Sequence, residues 1–149
     1  MKKYLFTAIA LLFVPLFLYA QTDKIQGIWF TEEGTSTVEV TKSSNGTYVG
    51  KINWLEEPNE NGKPKVDEEN SDPELAKRPI MGLSIVKDFQ YNSKKERWDE
   101  GSIYDPDNGK TYKCKIKLNK DGTLKIRGFI GVSIIGRTTK WTRVENTDE

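Results

Sequence analysis

Apolar and polar positions divide the chain into two unlike parts. Residues 4–20 form an almost unbroken apolar run, interrupted only by Thr7 and Pro15, behind Met1-Lys2-Lys3. Beyond Gln21 the pattern changes to short stretches of period-two alternation separated by turn formers, with almost no helical periodicity. Such alternation sets one face of each stretch on a core and the other in water, and so predicts an all-β domain.

The first stretch, Ile25 to Thr31, puts Ile25, Gly27 and Trp29 on one face and Gln26, Ile28 and Phe30 on the other. In Ser36 to Thr41, Val38 and Val40 oppose Thr37, Glu39 and Thr41. Asn45-Gly46, a dipeptide that tolerates positive φ at both positions, then turns the chain into Thr47 to Leu55. On that strand Tyr48, Gly50, Ile52 and Trp54 share a face. Alternation stops over residues 56–79, where proline, asparagine, glycine and charge predict a long loop. Within it Ser71-Asp72-Pro73-Glu74 reads as a helix cap, and Pro73 to Lys77 as one helical turn.

Five more strands follow at about Ile80 to Phe89, Arg97 to Tyr104, Lys110 to Leu118, Thr123 to Ile130 and Val132 to Val144. The third of these alternates Tyr112, Cys114, Ile116 and Leu118 with Thr111 and three lysines, one face core and the other solvated. Asp105-Pro106-Asp107-Asn108-Gly109 and Asn119-Lys120-Asp121-Gly122 supply tight turns between them. About eight antiparallel strands close into an up-and-down barrel or split into a sandwich, and closure is preferred because it removes exposed edges. The expected architecture is a single antiparallel β-barrel over residues 21–149, after a separate segment 1–20.

That first segment has the charged start, apolar middle and small terminal residue of a secretory signal peptide, with Leu18 and Ala20 where a signal peptidase reads. The run falls short of the roughly 20 apolar residues of a spanning helix, so no membrane span is expected after cleavage. Localisation is accordingly expected to be periplasmic or secreted. Losing Lys2 and Lys3 takes 23 basic residues to 21 against 22 acidic ones, a near-neutral balance that does not suggest nucleic acid as a partner. With Cys114 alone, no internal disulfide can form, and stability must come from burial. The absence of histidine removes the commonest general base and most zinc sites.

Several motifs together resemble an uncharacterised family of small exported bacterial proteins, domain of unknown function 2147. They are Gly27-Ile28-Trp29, Lys77-Arg78-Pro79-Ile80-Met81-Gly82-Leu83, and Trp98 through Gly101-Ser102-Ile103-Tyr104-Asp105-Pro106 to Gly109-Lys110-Thr111-Tyr112. Leu124-Lys125-Ile126-Arg127-Gly128-Phe129, Gly136-Arg137-Thr138 and Trp141-Thr142-Arg143 complete the set. The resemblance implies a lipocalin-like barrel but brings no established activity with it. In such barrels a glycine-x-tryptophan opens the first strand and an arginine of the last strand covers the indole. Trp29 and Arg143 fit those positions as a structural closure, a contact worth about 0.5–2 kcal/mol.

Candidate chemistry is sparse. The loop acids Glu56, Glu57, Glu60, Asp67, Glu68, Glu69, Asp72 and Glu74 match no calcium-loop spacing and read as a solvated surface, so no metal is expected. Cys114 sits on an apolar face and reads as a buried, inert thiol. No nucleophile and base pair is visible, which disfavours an enzyme, and no cofactor is expected. An eight-stranded barrel is either filled by side chains or holds one small ligand, and core filling is the weightier reading for its aromatics. If a hollow exists, its expected lining is Tyr48, Trp54, Ile85, Trp98, Tyr104, Tyr112 and Arg137, suited to a small apolar or amphipathic molecule. Arg78 joins that group, whereas strand parity turns Arg127 outward with Lys125. The competing function is a cell-envelope interaction module using the 56–79 loop or a sheet edge. Oligomeric state is left open.

Overall fold

The computed structural model describes residues 23–132 and 136–145, so the expected leader, residues 1–20, lies outside the described residues. A 3-10 turn over Asp23–Ile25 precedes ten strands. They are β1 Gly27–Phe30, β2 Ser36–Lys42, β3 Tyr48–Leu55, β4 Asn59–Glu60, β5 Lys63–Pro64, β6 Ser84–Asn92, β7 Arg97–Asp105, β8 Lys110–Leu118, β9 Leu124–Phe129 and β10 Gly136–Arg143. Eight of them close in the order β1-β10-β9-β8-β7-β6-β3-β2, every neighbour antiparallel. This is the all-β up-and-down barrel that the alternation predicts, closed by β1 against β10 so that each barrel strand is paired on both sides.

Up-and-down connectivity gives the barrel two ends of different character. At one end the turns after β2, β6 and β8 are short, and the 3-10 turn Asp23–Ile25 lies among them. This end is packed. Ile25, Trp29, Val38, Tyr48, Phe89, Trp98 and Ile116 are all buried. Tyr48 and Tyr91 each set a ring against Trp98, at centroid distances of 6.4 and 5.0 Å. The Tyr48 hydroxyl donates to Asp23 Oδ1 at 2.7 Å, which ties the 3-10 turn to the barrel wall.

Trp29 and Arg143 stand opposite one another on β1 and β10. The Arg143 guanidinium lies 4.1 Å from the Trp29 ring centroid and donates to the Gln26 and Lys24 carbonyls at 2.9 and 2.6 Å. From below, the indole N–H donates to the Ile25 carbonyl at 2.9 Å. Gly27 makes this possible in two ways. Its φ of +130° suits glycine, and any Cβ there would collide with Arg143 Nη1. The glycine-x-tryptophan spacing thus records the space that the crossing arginine needs.

Irregularities in the sheet account for the departures from simple alternation. Between β2 and β3 the register shifts, with Thr37 opposite Trp54 but Val38 opposite Ile52, which leaves Asn53 as an extra residue on β3. Such a bulge reverses inside and outside beyond it. Trp54 therefore leaves the face of Tyr48, Gly50 and Ile52. It is 43 % exposed and packs its ring edge-on against Phe30 at 6.0 Å. Asn53 accepts the Thr37 hydroxyl at 2.6 Å, which explains a buried polar residue on β2. A second shift, between β3 and β6, pairs Gly50 with Val86 but Lys51 with Ser84, so that Ile85 and Val86 both point inward and are both buried.

Cys114 is buried between β7 and β9, and burial pushes its thiol up to about 12. The native protein is expected to resist a water-soluble disulfide reagent at pH 8 and to react fully once denatured. Rapid labelling of the folded chain would contradict that placement.

Candidate functional site

The other end of the barrel is open. It carries the β1–β2, β7–β8 and β9–β10 connections and the long segment between β3 and β6, and beneath them lies a cavity of about 720 Å³. Apolar side chains make its walls: Ile52, Leu55, Ile80, Ile85, Ile103, Tyr112 and Trp141. Ile52 and Trp141 sit deepest by register, opposite Val38 and Leu124 of the packed half. The mouth is charged, with Glu33, Glu56, Glu57, Lys65, Asp105, Asp107 and Arg137 around it. The choice between a filled and a hollow barrel therefore has a different answer in each half.

The structure brings together four of the seven residues singled out for a hollow: Ile85, Tyr104, Tyr112 and Arg137 all line this cavity. The other three lie elsewhere. Tyr48 and Trp98 point inward but belong to the packed end, and Trp54 is turned outward by the Asn53 bulge. Arg137 stands at the mouth, mostly exposed, 3.3 Å from Glu33 and 3.7 Å from Glu32 on the β1–β2 connection. Arg127 lies on the outer surface with its guanidinium against Thr138 Oγ1 at 3.0 Å. Alternation also contained Trp141, Ile103 and Gly128, but their depth along the strands becomes visible only in the folded barrel.

The 56–79 segment is more ordered than a loop. It contains the small β4–β5 hairpin, a bridge between Val66 and Pro79 and a 3-10 turn over Leu75–Lys77. The helical turn expected over Pro73 to Lys77 is this shorter one, with Asp72 Oδ1 accepting the Glu74 amide at 2.9 Å. Backbone bonds from Asp67 N to Arg78 O and from Ile80 N to Lys65 O, both 3.0 Å, zip its two arms together at the cavity wall. Opposite them Gly109 leaves the room into which the Glu69 carbonyl fits.

One carboxylate pins the segment to the barrel. Asp67 is fully buried and accepts the Tyr104 hydroxyl at 2.6 Å, the Asn70 amide at 2.9 Å and Arg78 Nε at 2.9 Å, with Arg78 Nη2 2.7 Å away. The Arg78 guanidinium also lies over the Tyr104 ring, 5.3 Å from its centroid. Arg78 is thus held by Asp67 and does not face the cavity as a free cation. Burial alone would raise the Asp67 carboxyl, but hydrogen bonds from Tyr104, Asn70 and Arg78 outweigh it and hold the group below the usual carboxylate range. Burial and the bond to Asp67 push the Tyr104 hydroxyl up, so it stays protonated as the donor.

A depressed folded-state pKa means that Asp67 contributes stability above the ordinary aspartate value, and that this contribution is lost as pH falls through the folded value. Asp67→Asn is therefore expected to lower the Tm at pH 7, with the gap to wild type closing below about pH 4. A gap that stayed constant from pH 7 to pH 3 would contradict this placement of the charge.

Among the described residues no group of three or more cysteines or acids is placed to hold a metal ion. The strongest polar cluster, around Asp67, has its hydrogen-bonding capacity directed into the fold. No curated protein matches the chain. Among solved structures, protein HP1028 from Helicobacter pylori, described as belonging to the lipocalin family, is similar over 81 % of this chain and 83 % of its own, with 25 % identity and a TM-score of 0.68. That likeness agrees with the closed eight-stranded antiparallel barrel. Residues 27–143, running from the glycine under Arg143 to Arg143 itself, match the family described as "Uncharacterized protein conserved in bacteria (DUF2147)", and the chain belongs to that family.

Proposed function

We propose that this protein is a non-catalytic carrier that holds one small apolar or amphipathic molecule in the open half of its barrel. The observation that carries the reading is the cavity of about 720 Å³, apolar in its depth and charged at its mouth. That volume falls within the roughly 300–1,000 Å³ of small-molecule sites. Burial of an apolar ligand on those walls supplies the driving force, at about 25 cal/mol per Å² of apolar surface removed from water. The ordered 56–79 segment contributes Glu56, Glu57 and Lys65 to the mouth, a fixed entrance for such a ligand. The leader-like segment 1–20 supports placing this carrier outside the cytoplasm, in the periplasm or beyond.

The test is titration with N-phenyl-1-naphthylamine, a neutral apolar fluorophore, together with native mass spectrometry of protein expressed with residues 1–20 in a bacterial host. Saturable binding of one probe per chain and a reproducible co-purified mass are expected. Absence of both would remove the carrier reading. A protein retained in the cytoplasm with its first 20 residues intact would remove the export part alone.

An interaction module is the other reading, and closure of the barrel takes from it the free barrel edge on which strand addition would depend.

A further inference from the structure

The mouth of the cavity is unevenly charged. Five of its lining residues are carboxylates and two are cations. Both cations are already engaged by acids: Arg137 lies 3.3 Å from Glu33, and Lys65 lies 3.7 Å from Glu57. Asp105 turns its carboxylate to its own turn, accepting the Asp107 amide at 3.0 Å and the Asn108 side chain at 2.8 Å. Glu56 and Asp107 have no ion-pair partner among the described residues. Below them Tyr112 and Trp141 line the way in.

From this polarity we infer that the cavity takes amphiphiles with a cationic head, the ammonium seated among the mouth carboxylates and the apolar part inside, and that it discriminates against anionic ones. The inference rests on the carrier reading and deepens it by naming the ligand class. Three features support it. The apolar walls below the mouth call for an apolar body. The mouth has no unengaged cation to receive a carboxylate or phosphate head. Asp107 titrates above the usual carboxylate range, because of partial burial first and then the negative charges of Asp105 and Glu33, with Lys65 offsetting only part of this. A cation placed there relieves that repulsion, whereas an anion adds to it.

The experiment compares dodecylamine, dodecanol and dodecanoate by isothermal titration calorimetry at pH 7, each below its aggregation concentration. At this pH the amine is protonated and the acid ionised. In low salt the amine is expected to bind about tenfold or more tightly than dodecanoate, with the alcohol between them. Raising the salt concentration should shrink the spread, because mouth charges are screened. In the double variant Glu56→Gln, Asp107→Asn the amine should lose several-fold in affinity while the alcohol is unchanged. Dodecanoate binding as tightly as dodecylamine, or an amine preference untouched by the double variant, would overturn the inference and leave the carrier reading standing. If none of the three binds, the carrier reading falls and this inference falls with it.

Discussion

Trp29→Ala is expected to lower the unfolding free energy by about 3–5 kcal/mol, the range for deleting a large aromatic from a packed core. Trp29 is fully buried, its indole N–H is bonded to Ile25, and its ring carries the Arg143 guanidinium that joins the last strand to the first. Removing the ring empties the packed end. It also leaves Arg143 without the surface it lies on, so the closing contact of the barrel loosens with the core. The same substitution at Trp54 is expected to cost no more than about 1.5 kcal/mol, because that ring lies on the outer surface, nearly half exposed, and gains mainly an edge contact with Phe30. Chemical denaturation of the two variants measures the contrast. Equal losses would mean that the Asn53 bulge does not turn Trp54 outward.

The second large effect concerns binding and leaves stability intact. Gly128 lies on the cavity wall, and a Cβ there would meet Tyr112 Cβ at 3.5 Å and Ile103 Cγ2 at 3.8 Å, ordinary contact distances. A leucine at this position adds its bulk to the cavity wall that Gly128 lines. Gly128→Leu is therefore expected to weaken binding of N-phenyl-1-naphthylamine by about 100-fold, close to 2.7 kcal/mol, while the Tm holds or rises as cavity filling commonly gives. Unchanged affinity in a folded Gly128→Leu protein would place the bound probe somewhere other than the cavity.

Alternation disclosed most of the barrel, because burial of one face imposes period two on nearly every strand. Lys110–Leu118 falls where the pattern predicts it, and the first strand starts two residues late only because Asp23–Ile25 forms a 3-10 turn. Bulges were hidden. Nothing in Lys51-Ile52-Asn53-Trp54 marks Asn53 as an extra residue, since its cause is the pairing with Thr37 on another strand. Parity also separates inside from outside without separating one end of a barrel from the other. Tyr48 and Trp98 share the inward face with Ile85 and Tyr112, yet only the latter two reach the hollow.

The mouth was less legible still. Asp67 is one acid among eight in a polar stretch, and its partner Tyr104 lies 37 positions away in the chain. The 105–109 segment reads correctly as a turn, with the Asn108 and Gly122 amides closing two of the hairpins onto Asp105 and Asn119. Its role at the cavity depends on closure, which brings it beside Glu33 and Lys65 from distant segments. Charge balance over the whole chain is near neutral, and the local excess of carboxylate appears only when these turns meet.

The four tryptophans offer a direct reading of where a ligand goes, because the fold distributes them among three environments. Trp141 lines the cavity, Trp29 and Trp98 lie in the packed end, and Trp54 is on the outside. In a ¹H–¹⁵N spectrum of the indole N–H groups, titration with dodecanol is expected to move the Trp141 signal saturably at one ligand per chain and to leave the other three in place. A Trp141 signal that stays fixed, or a response centred on Trp54, would contradict the central claim that the open half of this barrel is a ligand site.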